Sequence, residues 1–152
     1  MSLNQFGISD GKGIVVTPKN TRDCKVYTED GAVLNPGDFV KIKDVAGPIT
    51  VVEKIAAATD NVFGVVAYDS AKKETYGNGE IANIAYDYSI VKMEASAAIA
   101  AGTEVMPVVE GSKVATATAN NMAIGQACIK ATAAGQLIPV MIHKATKVAA
   151  AG

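Results

Sequence analysis

Few side chains in this sequence are of types that do chemistry, and their spacing keeps them apart. His143 is the only histidine, so no histidine-based metal cluster forms and no second base shares a relay with it. It follows Pro139-Val140-Met141-Ile142 and reads as a strand-end histidine bonded to water or backbone. Cys24 and Cys128 are the only cysteines. Neither lies in a CxxC pair or beside His143, which argues against a nucleophilic thiol. One disulfide or two isolated buried thiols both fit; redox logic favours the thiols. Asp60, Asp69, Glu74 and Glu80 fall in turns where acids solvate loops, and nothing selects two of them as an acid and base pair. Asp10-Gly11-Lys12-Gly13 has the look of a phosphate loop. Only three residues separate Gly7 from Gly11, however, and no Ser or Thr follows Lys12 to hold magnesium. The expectation is a protein that is no enzyme and carries no catalytic residues, no cofactor and no metal.

Composition narrows the class. At 152 residues the chain is long enough to bury a core without disulfides or metal. Its 49% apolar content is carried by Ala and Val, with no Trp and three Phe. Small and β-branched side chains suit thin, closely spaced sheets. A net charge of −1 from 14 basic and 15 acidic residues, with no run of either sign, lacks the cationic face that nucleic-acid binding needs. No stretch approaches the roughly 20 apolar residues of a membrane span, and MSLNQFGISDGKG is no signal peptide. The expected protein is soluble, with no nucleic acid and no membrane among its partners.

The elements that position these residues are strands. The stretch 37–68, GDFVKIKDVAGPITVVEKIAAATDNVFGVVAY, reads as three strands, with Val40 and Ile42 alternating against Lys41 and Lys43. A looser copy begins at Gly102, in which Val105 matches Val40, Asn120 falls near Asn61, and Ile124-Gly125 matches Phe63-Gly64. The chain therefore reads as two related β-units, about 37–68 and 102–132, inside a single β-domain over 21–146. Residues 1–20 form an N-terminal arm with scattered apolar residues, and 147–152 a flexible tail with nothing to hold it. Further strands are expected near 24–28, 81–93, 104–109, 113–118, 123–132 and 136–143. The interval 69–79 is a long polar loop, and 95–101 is the only plausible helix, ended by Gly102. The expected fold is all-β, a compact β-barrel or β-sandwich with an extended arm and at most one short helix.

The succession NPGDFVKI, ATDNVFGVVAYDS, AAGTEVMPVV and AIGQACIKATAAGQLIPVMIH, over roughly 35–143, resembles the head decoration, or cement, proteins of tailed bacteriophages. Members of that family formerly went by the name of predicted recombinases, a label that the missing phosphate loop and basic face do not support. The resemblance implies a β-barrel or sandwich on the outer surface of the mature capsid, made in the host cytoplasm. It implies binding to the major capsid protein, commonly as a homotrimer, and stabilisation of the shell against internal DNA pressure. An arm that orders by adding a strand to a neighbouring sheet suits such a role, so Leu3, Phe6, Ile8, Val15 and Val16 are expected capsid or intersubunit contacts. Two alternatives share the composition. A tail-tube or head-completion subunit would form rings or tubes. A carbohydrate-binding or adhesion module would display aromatics, for which Tyr76, Tyr86 and Tyr88 are the candidates.

Overall fold

A computed structural model describes residues 11–43, 47–69, 75–108 and 112–150. They form eleven strands: β1 Val15–Thr17, β2 Asn20–Val26, β3 Phe39–Ile42, β4 Val51–Lys54, β5 Gly64–Val66, β6 Ile81–Tyr86, β7 Ile90–Ala95, β8 Glu104–Pro107, β9 Lys113–Thr116, β10 Met122–Ala127 and β11 Leu137–Lys147. The fold is all-β, and no helix occurs among the described residues.

The strands close two barrels rather than one. In the first the order is β2-β4-β3-β5-β6. In the second, β7-β11-β10-β8-β9 closes through a pairing of β7 with β9. Each barrel has one parallel pair, β2 with β4 and β7 with β9, and is otherwise antiparallel. Strand for strand the connectivity is the same, so β2 to β6 correspond to β7 to β11. The register repeats as well: Val40 faces Gly64, and Val105 faces Gly125. Isolated bridges Leu34 to Tyr76 and Ile99 to Ala131 occupy matching places. The sequence copies at 37–68 and 102–132 hold β3 to β5 and β8 to β10, the middle of each barrel.

Narrow barrels explain the small-residue composition. A five-stranded interior has little room, so Val, Ala and Ile fill most of it. Cys24, Val26, Val40, Val52, Val66, Ala82 and Ile84 fill the first barrel together with Leu34 and one ring, that of Tyr76. Gly64 and Gly125 are needed at their matched positions for close approach. A Cβ on Gly64 would lie 2.5 Å from the Ala85 carbonyl oxygen, and one on Gly125 2.6 Å from that of Met141.

The barrels share a core at their junction. Phe39, Val65 and Ala85 lie on the opposite parity from Val40, Val66 and Ile84, and join the second barrel's interior in one apolar cluster. The segment before β1 stitches the junction. Gly13 N–H donates to Lys92 O (2.9 Å) while Gly13 O accepts from Tyr68 N–H (2.8 Å), so one residue bonds to both barrels. Gly13 has φ +80°, and a Cβ there would meet the Gly37 nitrogen at 2.7 Å and the Val66 oxygen at 2.9 Å. Gly13 of the phosphate-loop lookalike thus serves a backbone crossing. Lys12 beside it pairs with Glu94 at 3.0 Å. In the linker between barrels, buried Ser89 accepts from Lys19 N–H (3.0 Å) and Asn20 N–H (3.1 Å) and donates to Asn20 O (3.0 Å).

Three local expectations are corrected. The alanine-rich 95–101 stretch is not a helix: Ala95 ends β7, and Ile99 exchanges backbone bonds of 2.9 Å with Ala131. That pairing, with Ile99 buried, outweighs the modest helix preference of alanine. The 147–152 tail is held at its start, since Lys147 ends β11 and Val148 bonds to Asn120 and Asn121. Cys128 is exposed rather than buried, whereas Cys24 is buried, and both are free thiols.

Candidate functional site

The residues expected to make contacts divide. Leu3, Phe6 and Ile8 lie outside the described residues. Val15 and Val16 fall on β1, which pairs antiparallel with the first half of β7. On that same edge β9 takes the second half, at Glu94 and Ala95. The segment therefore adds a strand to a barrel of its own chain. Val15 packs against the junction core, so its apolar surface is already used within the molecule. Alternation turns Val16 outward, where it is 51% exposed. Beside β1, Val15, Pro18, Thr21, Tyr68 and Asn83 line a shallow cleft of about 360 Å³.

The residues of chemical type are placed structurally. His143 lies within β11 rather than at a strand end, because that strand runs on to Lys147. Its Nδ1 lies 2.8 Å from Lys144 O, and its Nε2 lies 3.9 Å from a Glu104 carboxylate oxygen. Burial pushes the Cys24 thiol up to about 11, with Asp23 adding to the rise and Arg22 opposing it. A thiol so protonated is a small core residue and a poor nucleophile. Asp60 anchors its own loop, accepting from Ala56 N–H (2.6 Å), Ala57 N–H (3.1 Å) and Lys41 Nζ (3.2 Å). Burial opposes its ionisation, but these donors outweigh burial and hold its pKa below the ordinary value. No group of three or more His, Cys, Asp or Glu among the described residues is placed to hold a metal. No helix among them is long and apolar enough to cross a membrane.

A second candidate surface is the end of the first barrel where β3 leaves and β5 enters. Among the described residues, a cleft of about 410 Å³ is lined there by Lys41, Ile42, Asn61, Phe63, Tyr86 and Lys144, with Val62 and Asp87 completing it. Phe63 and Tyr86 stack with ring centroids 4.8 Å apart and planes 28° apart. Ile42 is 55% exposed. The strands place these side chains because Ile42 and Tyr86 continue the inward parity of Val40 and Ile84 past the last packed layer. Of the three tyrosines named from sequence, Tyr86 lines this cleft and Tyr88 is 61% exposed. Tyr76 is buried at 2% and so displays nothing. Ile42 and Phe63 were not singled out from sequence. Their signal was position, Ile42 as the last residue of β3 and Phe63 as the residue just before β5.

No protein-family model matches the chain, and no curated protein matches it in sequence. Among solved structures, it is similar to the crystal structure of the N base of the head fiber gp8.5 of bacteriophage phi29, with a TM-score of 0.54 and 14% sequence identity. The match covers 86% of this chain and 98% of that one. At that identity the likeness is one of fold.

Proposed function

We propose that this chain is a structural protein of a tailed-bacteriophage head, and more finely a decoration protein that binds the outer surface of the mature capsid and stabilises it. The observation that carries the reading is the likeness to a phage head fiber base over nearly the whole of both chains. Three features of the molecule agree with it. The charge is balanced, buried Ser89 and Asp38 accept hydrogen bonds from the backbone of their own chain, and the two barrels are joined by a shared core. A symmetric shell multiplies one modest contact by avidity, so a small rigid module suffices. The partners are then the major capsid protein and further copies of this chain, as a homotrimer. The role is contact without catalysis.

The test is co-sedimentation of the purified protein with expanded and unexpanded heads of its own phage, prepared without it. Saturable binding to expanded heads alone is the expected outcome, and the copies bound per head give the symmetry position. Binding to neither form of head would sink the reading. Sedimentation equilibrium tests the trimer separately, by the mass of the free protein.

The same likeness supports a second reading, in which the chain is the head-bound base of an appendage. Electron microscopy of occupied heads separates the two. Density that projects from each attachment point favours a base, and density lying flat across neighbouring capsid subunits favours a decoration protein.

A further inference from the structure

The two barrels repeat one pattern of strand pairing but close differently at one end. Pairing registers make Pro107, Ile124 and Ile142 the counterparts of Ile42, Phe63 and Tyr86. In the second barrel all three are buried. Ile55 and Val62 of the first barrel belong to the same apolar cluster as Ile124 and Ile142, and Met122 N–H donates to Ala58 O across the junction at 3.4 Å. In the first barrel the corresponding three stand around the 410 Å³ cleft. An apolar mouth that its duplicate buries, and that here keeps a stacked aromatic pair facing a cavity, has the character of a ligand site.

We propose that the mouth of the first barrel is a saccharide-binding site, in which an outer ring face of the stacked Phe63 and Tyr86 pair lies against the apolar face of a pyranose ring and Asp87, Asn61 and Lys144 bind its hydroxyl groups. A pyranose carries C–H groups on its ring faces and hydroxyls around its rim. It therefore needs a flat apolar platform together with separate donors and acceptors. The cleft supplies both. The Asp87 carboxylate only accepts, the Lys144 ammonium only donates, and the Asn61 amide does each. None of these side-chain groups has a hydrogen-bond or ion-pair partner among the described residues. Lys41, the other cation of the wall, is held by Asp60 at 3.2 Å, and Lys144 is offset by Asp87. The balance of charge suits a neutral polyol and not a polyanion such as a nucleic-acid strand. The volume lies in the range of small-molecule sites.

The experiment follows the side-chain NMR signals of Ile42, Phe63, Tyr86 and Tyr88 in the full, isotope-labelled chain during titration with maltose, cellobiose and diacetylchitobiose. At least one disaccharide is expected to shift the Ile42, Phe63 and Tyr86 signals saturably while leaving Tyr88, outside the cleft, unmoved. Tyr86→Leu removes the platform and is expected to abolish the shifts. Asp87→Ala sits on the rim, spares the apolar packing and is expected to weaken binding about tenfold, as loss of a hydrogen bond to a sugar hydroxyl does. Absence of saturable shifts with every disaccharide overturns the proposal, and so does wild-type affinity in the Asp87→Ala variant. Shifts at the mouth produced by heads or capsid protein, with none from the sugars, overturn it in favour of a protein occupant.

Discussion

The two barrels invite comparison because one topology was written twice with different surroundings. Inside, the copies agree in kind: Val40 and Val105, Val52 and Val114, Ile84 and Val140 are matched and buried. Outside they part. Phe39, Val65 and Ala85 of the first barrel are fully buried against the second, whereas their counterparts Glu104, Gln126 and Met141 face solvent wholly or in part. A five-stranded interior accepts few shapes, so topology dictates inward residues. The outward residues follow whatever neighbour each barrel meets. The comparison locates the asymmetry of the molecule in its faces and mouths and leaves the ladder common to both.

If the ladder is common, the same substitution should do the same damage in each copy. Gly64→Ala and Gly125→Ala each drive a methyl group against a backbone oxygen. Each is expected to lower unfolding free energy by about 3 kcal/mol in urea titrations. A loss in one variant and none in the other would break the equivalence. The linker comes next. Ser89→Ala removes the acceptor for Lys19 and Asn20 N–H groups and is expected to cost about 2 kcal/mol. Amide exchange should then rise at Lys19 and Asn20 and stay unchanged within β9 and β10.

Two carboxylates sharpen the comparison through pH, with opposite signs. Burial works against Glu94 ionisation, but Lys12 and Lys113, at 3.0 and 3.4 Å, outweigh it and hold its pKa below 4.5. Its stabilisation is therefore complete above the unfolded value of 4.5 and is lost as pH falls through the folded value. Glu94→Gln should remove about 1 kcal/mol at neutral pH and flatten that acid limb in thermal melts. Asp38 is the reverse case and the smallest effect. Burial raises its pKa above 3.8, against the opposing pull of Asn35 N–H and the lysines Lys54 and Lys12. A raised acid loses stability as pH climbs from 3.8 through the folded value, because the folded state then has to hold a buried charge. Thr103 takes the equivalent place in the second barrel, where the Ala127 N–H donates to it as Val66 N–H donates to Asp38. Asp38→Asn should therefore change stability at neutral pH by less than about 1 kcal/mol while erasing the decline. A decline that persists in the variant would move its origin elsewhere.

Much of the ladder's middle was legible in the sequence. Val40 with Val105 and Gly64 with Gly125 could be aligned because those positions tolerate few residues: an inward β-branched side chain, and a glycine under a carbonyl. The outer strands were not, since Cys24 and Val26 correspond to Met93 and Ala95, which share size limits but not identity. Separate closure of the barrels was equally hidden. It rests on the parallel pairs, which join strands distant in sequence and leave no local pattern. Tyr76 read as a displayed aromatic because it sits in a polar stretch, and the bridge that buries it pairs it with Leu34, far away in sequence. The residues expected to make contacts stood out only as an apolar scatter. What directs Val15 inward is its pairing with Val91, a long-range fact. The cleft around Phe63 and Tyr86 depends on what the neighbouring barrel leaves uncovered, and sequence periodicity carries no record of that.

The crossing at Gly13 also bears on how the molecule comes into being. Its partner Lys92, and the whole of β7 on which β1 lies, are synthesised well after it. Strands β2 to β6 complete their own circuit before that point, so the first barrel can close while the segment ahead of it waits. Pairings this distant along the chain are slow to form, and domains emerge in order from the ribosome. A released chain that ends at Tyr86 should accordingly leave residues 11–17 open to protease while protecting β2 to β6, and the complete chain should close that site. Among the described residues, those made first are the ones that settle last, and the molecule fastens its two halves only when both exist.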